Sequence, residues 1–178
     1  MNDTPNLHTR IEHLVAKQEL HELCVGYSRA VDRLDEAALV ELCHSDAVID
    51  SGVLRGAPDY FAREFSRWVR AYARVICHAV TNEWFLIDGL HAIGESYVIA
   101  LSRLRGEPLE SDVLTFGRYF DRFEQRDGRW KFSERRFVLD HSVKLASTAE
   151  PLAESAGSGD GRGAFAPHDP IYRFWPQR

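Results

Sequence analysis

What the 178-residue chain lacks narrows it first. It holds three cysteines, Cys24, Cys43 and Cys77, widely spaced and without a C-x-x-C pair. Such an odd, scattered set gives no thiolate metal site and reads as reduced core cysteines of an intracellular protein. There is no basic stripe: 22 Lys and Arg are outweighed by 27 Asp and Glu, for a net charge of -5. That balance argues against a nucleic-acid partner. No apolar run reaches membrane length, and the opening MNDTPNLHTRIEH carries no apolar signal core, so a cytoplasmic chain without a membrane partner is expected. Eight histidines are present, but none shows H-x-x-x-H or H-E-x-x-H spacing, so no metal is expected. G-x-S-x-G, P-loop and G-x-G-x-x-G motifs are missing too. The GSGDGRG stretch follows no strand and opens no helix, and reads as a linker rather than a phosphate cradle. No cofactor is therefore called for.

What is present suits one domain. At this length a single fold buries roughly two thirds of its unfolded surface. Hydrophobic residues make up 44% and charged residues 28%, an ordinary globular composition. Thr4 and Pro5 suggest a helix start. Ile11, Leu14 and Val15, then Leu20, Leu23, Cys24, Tyr27 and Val31, recur at helical spacing and predict a long helix ending near Asp32. Asp35 can cap a short second helix, and Ala47 to Ile49 begin a strand. Ala57-Pro58 opens a third helix carrying Tyr60, Phe61, Phe65, Trp68, Val69 and Tyr72. The period then changes from 3.6 to 2. Strands are predicted over 74–87, 92–104, 114–124 and 129–145, with turns at Asp88-Gly89 and Arg126-Asp127-Gly128. Helices followed by long antiparallel strands, with no parallel crossover needed, predict an α+β fold with the helices on one side of a curved sheet. The domain is placed at 1–147. Residues 148–178 read as a flexible linker and an aromatic tail, with Phe165, Ile171, Tyr172, Phe174 and Trp175 too apolar to stay free. The tail is expected to dock on the domain or on a neighbouring subunit.

A pocket enzyme without a cofactor needs a base and a group to orient it. His78 lies in ICHAVTN, a strand apolar on both parities, and histidine as a residue type titrates near ~6.5. Asp32 ends the first helix in GYSRAVDRLD. Spacing alone leaves it either an exposed cap or the partner of His78. Tyr27 stands one turn earlier and either packs in the core or offers a hydroxyl. Trp68, Tyr72, Trp84, Tyr97, Phe116 and Tyr119 are either core or the walls of a hydrophobic chamber. His141, after Asp140 on the last strand, is a further candidate at its mouth.

Two motifs carry a resemblance. The helix pattern Y-x-R-x-V-D-x-x-D fits Tyr27 to Asp35, and the hairpin Y-x-D-x-F-x-x-x-D-G-x-W-K-F fits Tyr119 to Phe132. Over roughly residues 9–146 the chain resembles the SnoaL-like family of the nuclear-transport-factor-2-like superfamily. The resemblance implies a cone-shaped α+β barrel, three helices on a strongly curved, mostly antiparallel sheet around a buried pocket. Members include dehydrochlorinases, scytalone dehydratases, polyketide cyclases and diarylpropane formaldehyde lyases, and non-catalytic binding members exist. In the dehydrochlorinase and scytalone dehydratase branch an aspartate closing the first helix and a histidine in an I-H-x-x-T-N strand form a proton-abstracting pair. Here those positions are Asp32 and His78, the second offset by Cys77. An arginine after W-K-F-S matches Arg135, which would polarise a leaving group or else pair with Glu134 on the surface. Tyr27 stands where the dehydrochlorinases carry lysine, which suits a hydroxyl or carbonyl substrate better than a halide. The resemblance thus implies a lyase for a small hydrophobic, aromatic substrate, acting by dehydration or formaldehyde elimination, in a homotrimer or dimer. An isomerase, a cyclase, or a binding module such as a dioxygenase small subunit are the alternatives it leaves.

Overall fold

The first helix, α1 (Leu7–Arg33), begins at Asn6, whose side chain accepts from the Thr9 N–H at 3.0 Å. Thr4 and Pro5, the expected start, lie outside the described residues, which are 6–106, 110–146 and 163–174 of a computed structural model. Only the second half of α1 is core: Leu20, Leu23, Cys24, Tyr27, Ala30 and Val31 are buried, whereas Leu7, Ile11, Leu14 and Val15 stand exposed. The helix stops at Leu34, whose φ of 54° is left-handed. Asp35 N–H returns to the Ala30 carbonyl at 2.9 Å, closing a helix-ending turn. Asp35 then caps α2 (Glu36–Glu41) by accepting from Ala38 N–H at 3.1 Å. Pro58 occupies the first turn of α3 (Pro58–Tyr72), where its missing N–H costs nothing.

The strands are β1 (Cys43–Asp50), β2 (Arg55–Gly56), β3 (Ala73–Asp88), β4 (His91–Leu104), β5 (Ser111–Arg126) and β6 (Arg129–Ala146). They form one curved, open sheet ordered β2-β1-β6-β5-β4-β3, with the helices few and on its inner side. All pairings are antiparallel except β1 with β6, which is parallel. The expectation of a sheet without a parallel connection is corrected at that one ladder: the chain leaves β1, crosses α3 and the meander, and returns beside it. A last short helix, α4 (Ile171–Phe174), follows residues 163–170. This segment lies against the ends of the helices: Ala166 N–H donates to Arg33 O at 2.6 Å and Tyr172 Oη donates to Asp35 at 2.6 Å. Trp175 and residues 147–162 lie outside the described residues.

Three of the register shifts decide which side chains of β3, β5 and β6 face inward beyond Val75. In β3 the register shifts between Thr81 and Trp84, with Asn82 at a φ of 49°. Inward residues are even-numbered before it (Ile76, His78, Val80) and odd-numbered after it (Glu83, Phe85, Ile87). In β6 a shift opposite Arg122 and Phe123 lets Phe132 and Arg135 both point inward. A third shift, at Phe116–Gly117, sits where the Phe137 ring crosses the β5 backbone. One free cysteine departs from expectation: Cys24 and Cys43 are buried, but Cys77 is exposed, because its neighbour His78 takes the inward side. Among the described residues no helix is long and apolar enough to cross a membrane.

Gly117 is required by that crossing. A Cβ there would meet the Val138 carbonyl and the Phe137 ring at 2.5 Å. Gly117→Ala is expected to cost about 1–3 kcal/mol of stability, read as a lower urea midpoint; an unchanged midpoint would contradict the packing described.

Candidate active site

The turn after α1 and the first half of β3 bring two side chains together. Asp32 Oδ2 accepts from the His78 backbone N–H at 3.0 Å, and Asp32 Oδ1 lies 2.6 Å from His78 Nδ1. Both side chains are largely buried. A carboxylate only accepts, so the bond places a proton on Nδ1; in the neutral imidazole the lone pair is then on Nε2. His78 borders a cavity of about 180 Å3 inside the cone. Its other walls come from α1 (Tyr27, Val31), the β1–β2 turn (Asp50, Ser51, Val53), α3 (Phe61, Phe65) and the sheet (Val98, Ala100, Ser102, Thr115, Tyr119, Arg135, Phe137).

Arg135 is the largest fully buried side chain among the described residues, 1% exposed. Its Nε and Nη2 donate to Asp121 Oδ1 and Oδ2 at 2.9 and 3.0 Å, a two-point pair. Three rings surround the guanidinium, with centroids 4.0 Å (Tyr119), 4.2 Å (Tyr27) and 4.5 Å (Phe132) from its central carbon. Burial works against its charge, but Asp121 beside it outweighs that and holds Arg135 above its ordinary value. Burial also pushes Asp121 up, against the pull of Arg135. Nη1 of Arg135 has no hydrogen-bond partner among the described residues. Burial pushes the Tyr119 phenol up to about 12 and raises Tyr27 well above its usual range, so both keep their protons as hydrogen-bond donors. The same cause lifts the thiols of Cys24 and Cys43 to about 12.

The candidates named from sequence separate into those that meet here and those that do not. His78, Tyr27, Arg135 and Tyr119 line the cavity, and Asp32 joins them through its bond to His78. The surface pairing of Arg135 with Glu134 does not form; Glu134 pairs with Arg122 instead, at 3.1 Å. Trp84 is exposed because the β3 bulge turns it outward. Tyr97 is odd-numbered on a strand whose even residues face in, and is half-exposed. Phe116 and His141 are paired across β5 and β6 and stack on each other, 6.3 Å apart, away from the cavity walls. Trp68 and Tyr72 line an outer groove instead. Sequence reasoning did not single out Asp121, although it is the acid of the Y-x-D hairpin motif and sits on the inward parity between Tyr119 and Phe123. It also missed Phe61, Phe65 and Phe137 as walls.

The SnoaL-like domain family matches residues 12–136. The chain belongs to that family. Its fold is similar to that of a type 2 hexachlorocyclohexane dehydrochlorinase, with a TM-score of 0.73 at 21% identity over 81% of this chain and 99% of that one. A type 3 hexachlorocyclohexane dehydrochlorinase from Novosphingobium barchaimii LL02 gives 0.72 at 21% identity, over 80% and 99%. A candidate scytalone dehydratase from Novosphingobium aromaticivorans DSM 12444 gives 0.65 at 21%, over 80% and 97%. These likenesses show the fold alone, an α+β arrangement on a curved, open sheet. A comparison with curated proteins finds no match.

A buried pair such as Asp121–Arg135 costs most when one half is removed. Asp121→Ala is expected to lose about 3–5 kcal/mol, and Asp121→Leu combined with Arg135→Met to recover most of it, measured by chemical denaturation. Equal losses in both variants would show that the charge is not what matters.

Proposed function

We propose that this protein is a cofactor-independent lyase in which His78, oriented by Asp32, abstracts a proton from a small, hydroxylated aromatic substrate. The observation that carries the reading is the 2.6 Å contact between Asp32 and His78 Nδ1, on a side chain that borders a cavity walled mainly by apolar and aromatic groups. In the dehydrating form, His78 Nε2 takes a proton from carbon. The C–H pair becomes the new C=C bond, the C–O bond breaks, and the departing oxygen takes the proton back from the imidazolium to leave as water. In the formaldehyde-releasing form, the proton comes from a terminal hydroxymethyl oxygen. Its O–H pair makes C=O, the C–C pair becomes C=C, and hydroxide leaves from the next carbon with the returned proton. The products are then alkene, formaldehyde and water. Asp32 holds the ring and stabilises the imidazolium between the two transfers. The protonated phenols of Tyr27 and Tyr119 and the fixed charge of Arg135 supply donors and a positive field for the leaving oxygen. Membership of a family with lyases among its members and the likeness in fold to a dehydrochlorinase support the class of reaction.

An oligomer accompanies this reading. The outer face of the sheet exposes Ile93, Tyr97, Ile99, Leu101 and Phe120 on adjacent strands, an apolar surface suited to a second copy of the chain. Ile99→Asp is expected to lower the mass in light scattering towards the 20.3 kDa of a single chain; a wild type already monomeric would contradict the oligomer.

The reaction is tested by turnover of hydroxylated diaryl compounds, following conjugated product by ultraviolet absorbance and formaldehyde in parallel. Wild type is expected to form product, His78→Ala to form none, and Asp32→Asn to fall by about ten-thousand-fold in kcat. Formaldehyde separates the two forms of elimination. Turnover that survives His78→Ala in a folded protein would contradict the mechanism, and a silent wild type that still binds these compounds would favour a ligand-binding or accessory module.

A further inference from the structure

The cavity beside His78 is small. About 180 Å3 is close to the ~150 Å3 that accommodates one benzene ring in a protein interior, and leaves room for a substituent but not for a second ring. A groove of about 470 Å3 adjoins it. Cavity and groove share two wall residues, Val53 of the β1–β2 turn and Phe65 of α3. The shared wall belongs to an aromatic stripe. Phe61, Phe65, Trp68 and Tyr72 are spaced by four, three and four residues, which on a helix puts them on one face within about one third of its circumference. They advance about 16 Å along the axis. Exposure rises along the stripe, from 1% at Phe61 to 49% at Trp68 and 59% at Tyr72, with Phe65 in between. Phe61 and Phe65 stack in parallel at 5.6 Å, and Trp68 and Tyr72 pair at 5.7 Å. Half-exposed Trp and Tyr side by side, continuous with an internal cavity, are not needed for the core: in this half of α3 the buried residues are Ser66 and Val69, off the stripe.

We infer that the groove is the second half of the binding site, and that the substrate is a two-ring molecule. One ring, with its reacting carbon or hydroxyl, sits beside His78, and the second lies on Trp68 and Tyr72 outside the Val53–Phe65 opening. Trp68 is then a specificity-determining residue: it selects elongated two-ring substrates over single-ring ones by contacts outside the chamber. The inference rests on the reading of the inner cavity as the chamber in which His78 acts. It also accounts for an aromatic pair that a cavity-only site would leave bare to water.

The test compares 1-phenylethanol, which has one ring, with 1,2-diphenylethanol, which has two, by titration calorimetry on wild type, Trp68→Ala and Trp68→Phe. Trp68 is half-exposed, so the variants are expected to keep the wild-type circular dichroism spectrum. Wild type is expected to bind the two-ring compound about tenfold or more tightly than the one-ring compound. The ratio of the two affinities is expected to fall towards one in Trp68→Ala and to be largely restored in Trp68→Phe. A ratio near one in wild type, or one that survives in Trp68→Ala, overturns the inference while leaving the inner chamber standing. Failure of both compounds to bind wild type overturns the chamber with it. A changed mass in light scattering for Trp68→Ala, with the ratio intact, overturns it in favour of a protein partner on the groove.

Discussion

The two oxygens of one carboxylate tie the end of α1 to the middle of β3. Asp32 takes the backbone N–H of His78 with one oxygen and the ring with the other. Both bonds fix the ring: the first sets the height of the strand against the helix, and the second sets the rotation and tautomer of the imidazole. The arrangement requires α1 to end where it does. The left-handed Leu34 and the return of Asp35 N–H to Ala30 stop the helix within three residues of Asp32. The segment around Ala166 bonds to the Arg33 carbonyl on the other side of the same turn. Helix end, strand and C-terminal segment thus converge on the residues flanking one acid.

Around that point the interior is unusually charged for a cone of this size. Arg135 and Asp121 are fully enclosed, with rings on three sides of the guanidinium. Isolated, either charge would be costly to bury; paired with matched geometry, they place the guanidinium in the wall of the cavity with its charge matched by Asp121. The sheet supplies this by irregularity: a shift in β6 turns Arg135 inward three strands from where the β3 shift turns Trp84 out.

Those same irregularities explain what could be read in advance. Helices and long strands follow from apolar spacing, and each of the strand pairs joined by Asp88-Gly89 and Asp127-Gly128 turns was legible, because periodicity and turn chemistry are local. Asp32 and His78 were legible as candidates, since one ends a helix and the other interrupts an apolar strand, but their meeting depended on the resemblance. The walls of the cavity were not legible. Trp84, Tyr97, Phe116 and His141 are all plausible by composition, yet a single-residue shift of parity decides which way each faces, and no local signal marks the shift except Asn82, which tolerates a left-handed backbone. Arg135 was a candidate through the resemblance, with a surface pair to Glu134 as its alternative; the bulge opposite Arg122 and Phe123 turns it inward and removes that alternative.

The measurement that tests the central claim most directly is the position of the proton on His78, read by long-range 1H–15N correlation NMR with the resonances assigned through His78→Gln. The account predicts that in its neutral form the ring carries the proton on Nδ1, toward Asp32, and loses that preference in Asp32→Asn. A neutral ring carrying its proton on Nε2 in the wild type would contradict it, because no lone pair would then be presented to a substrate.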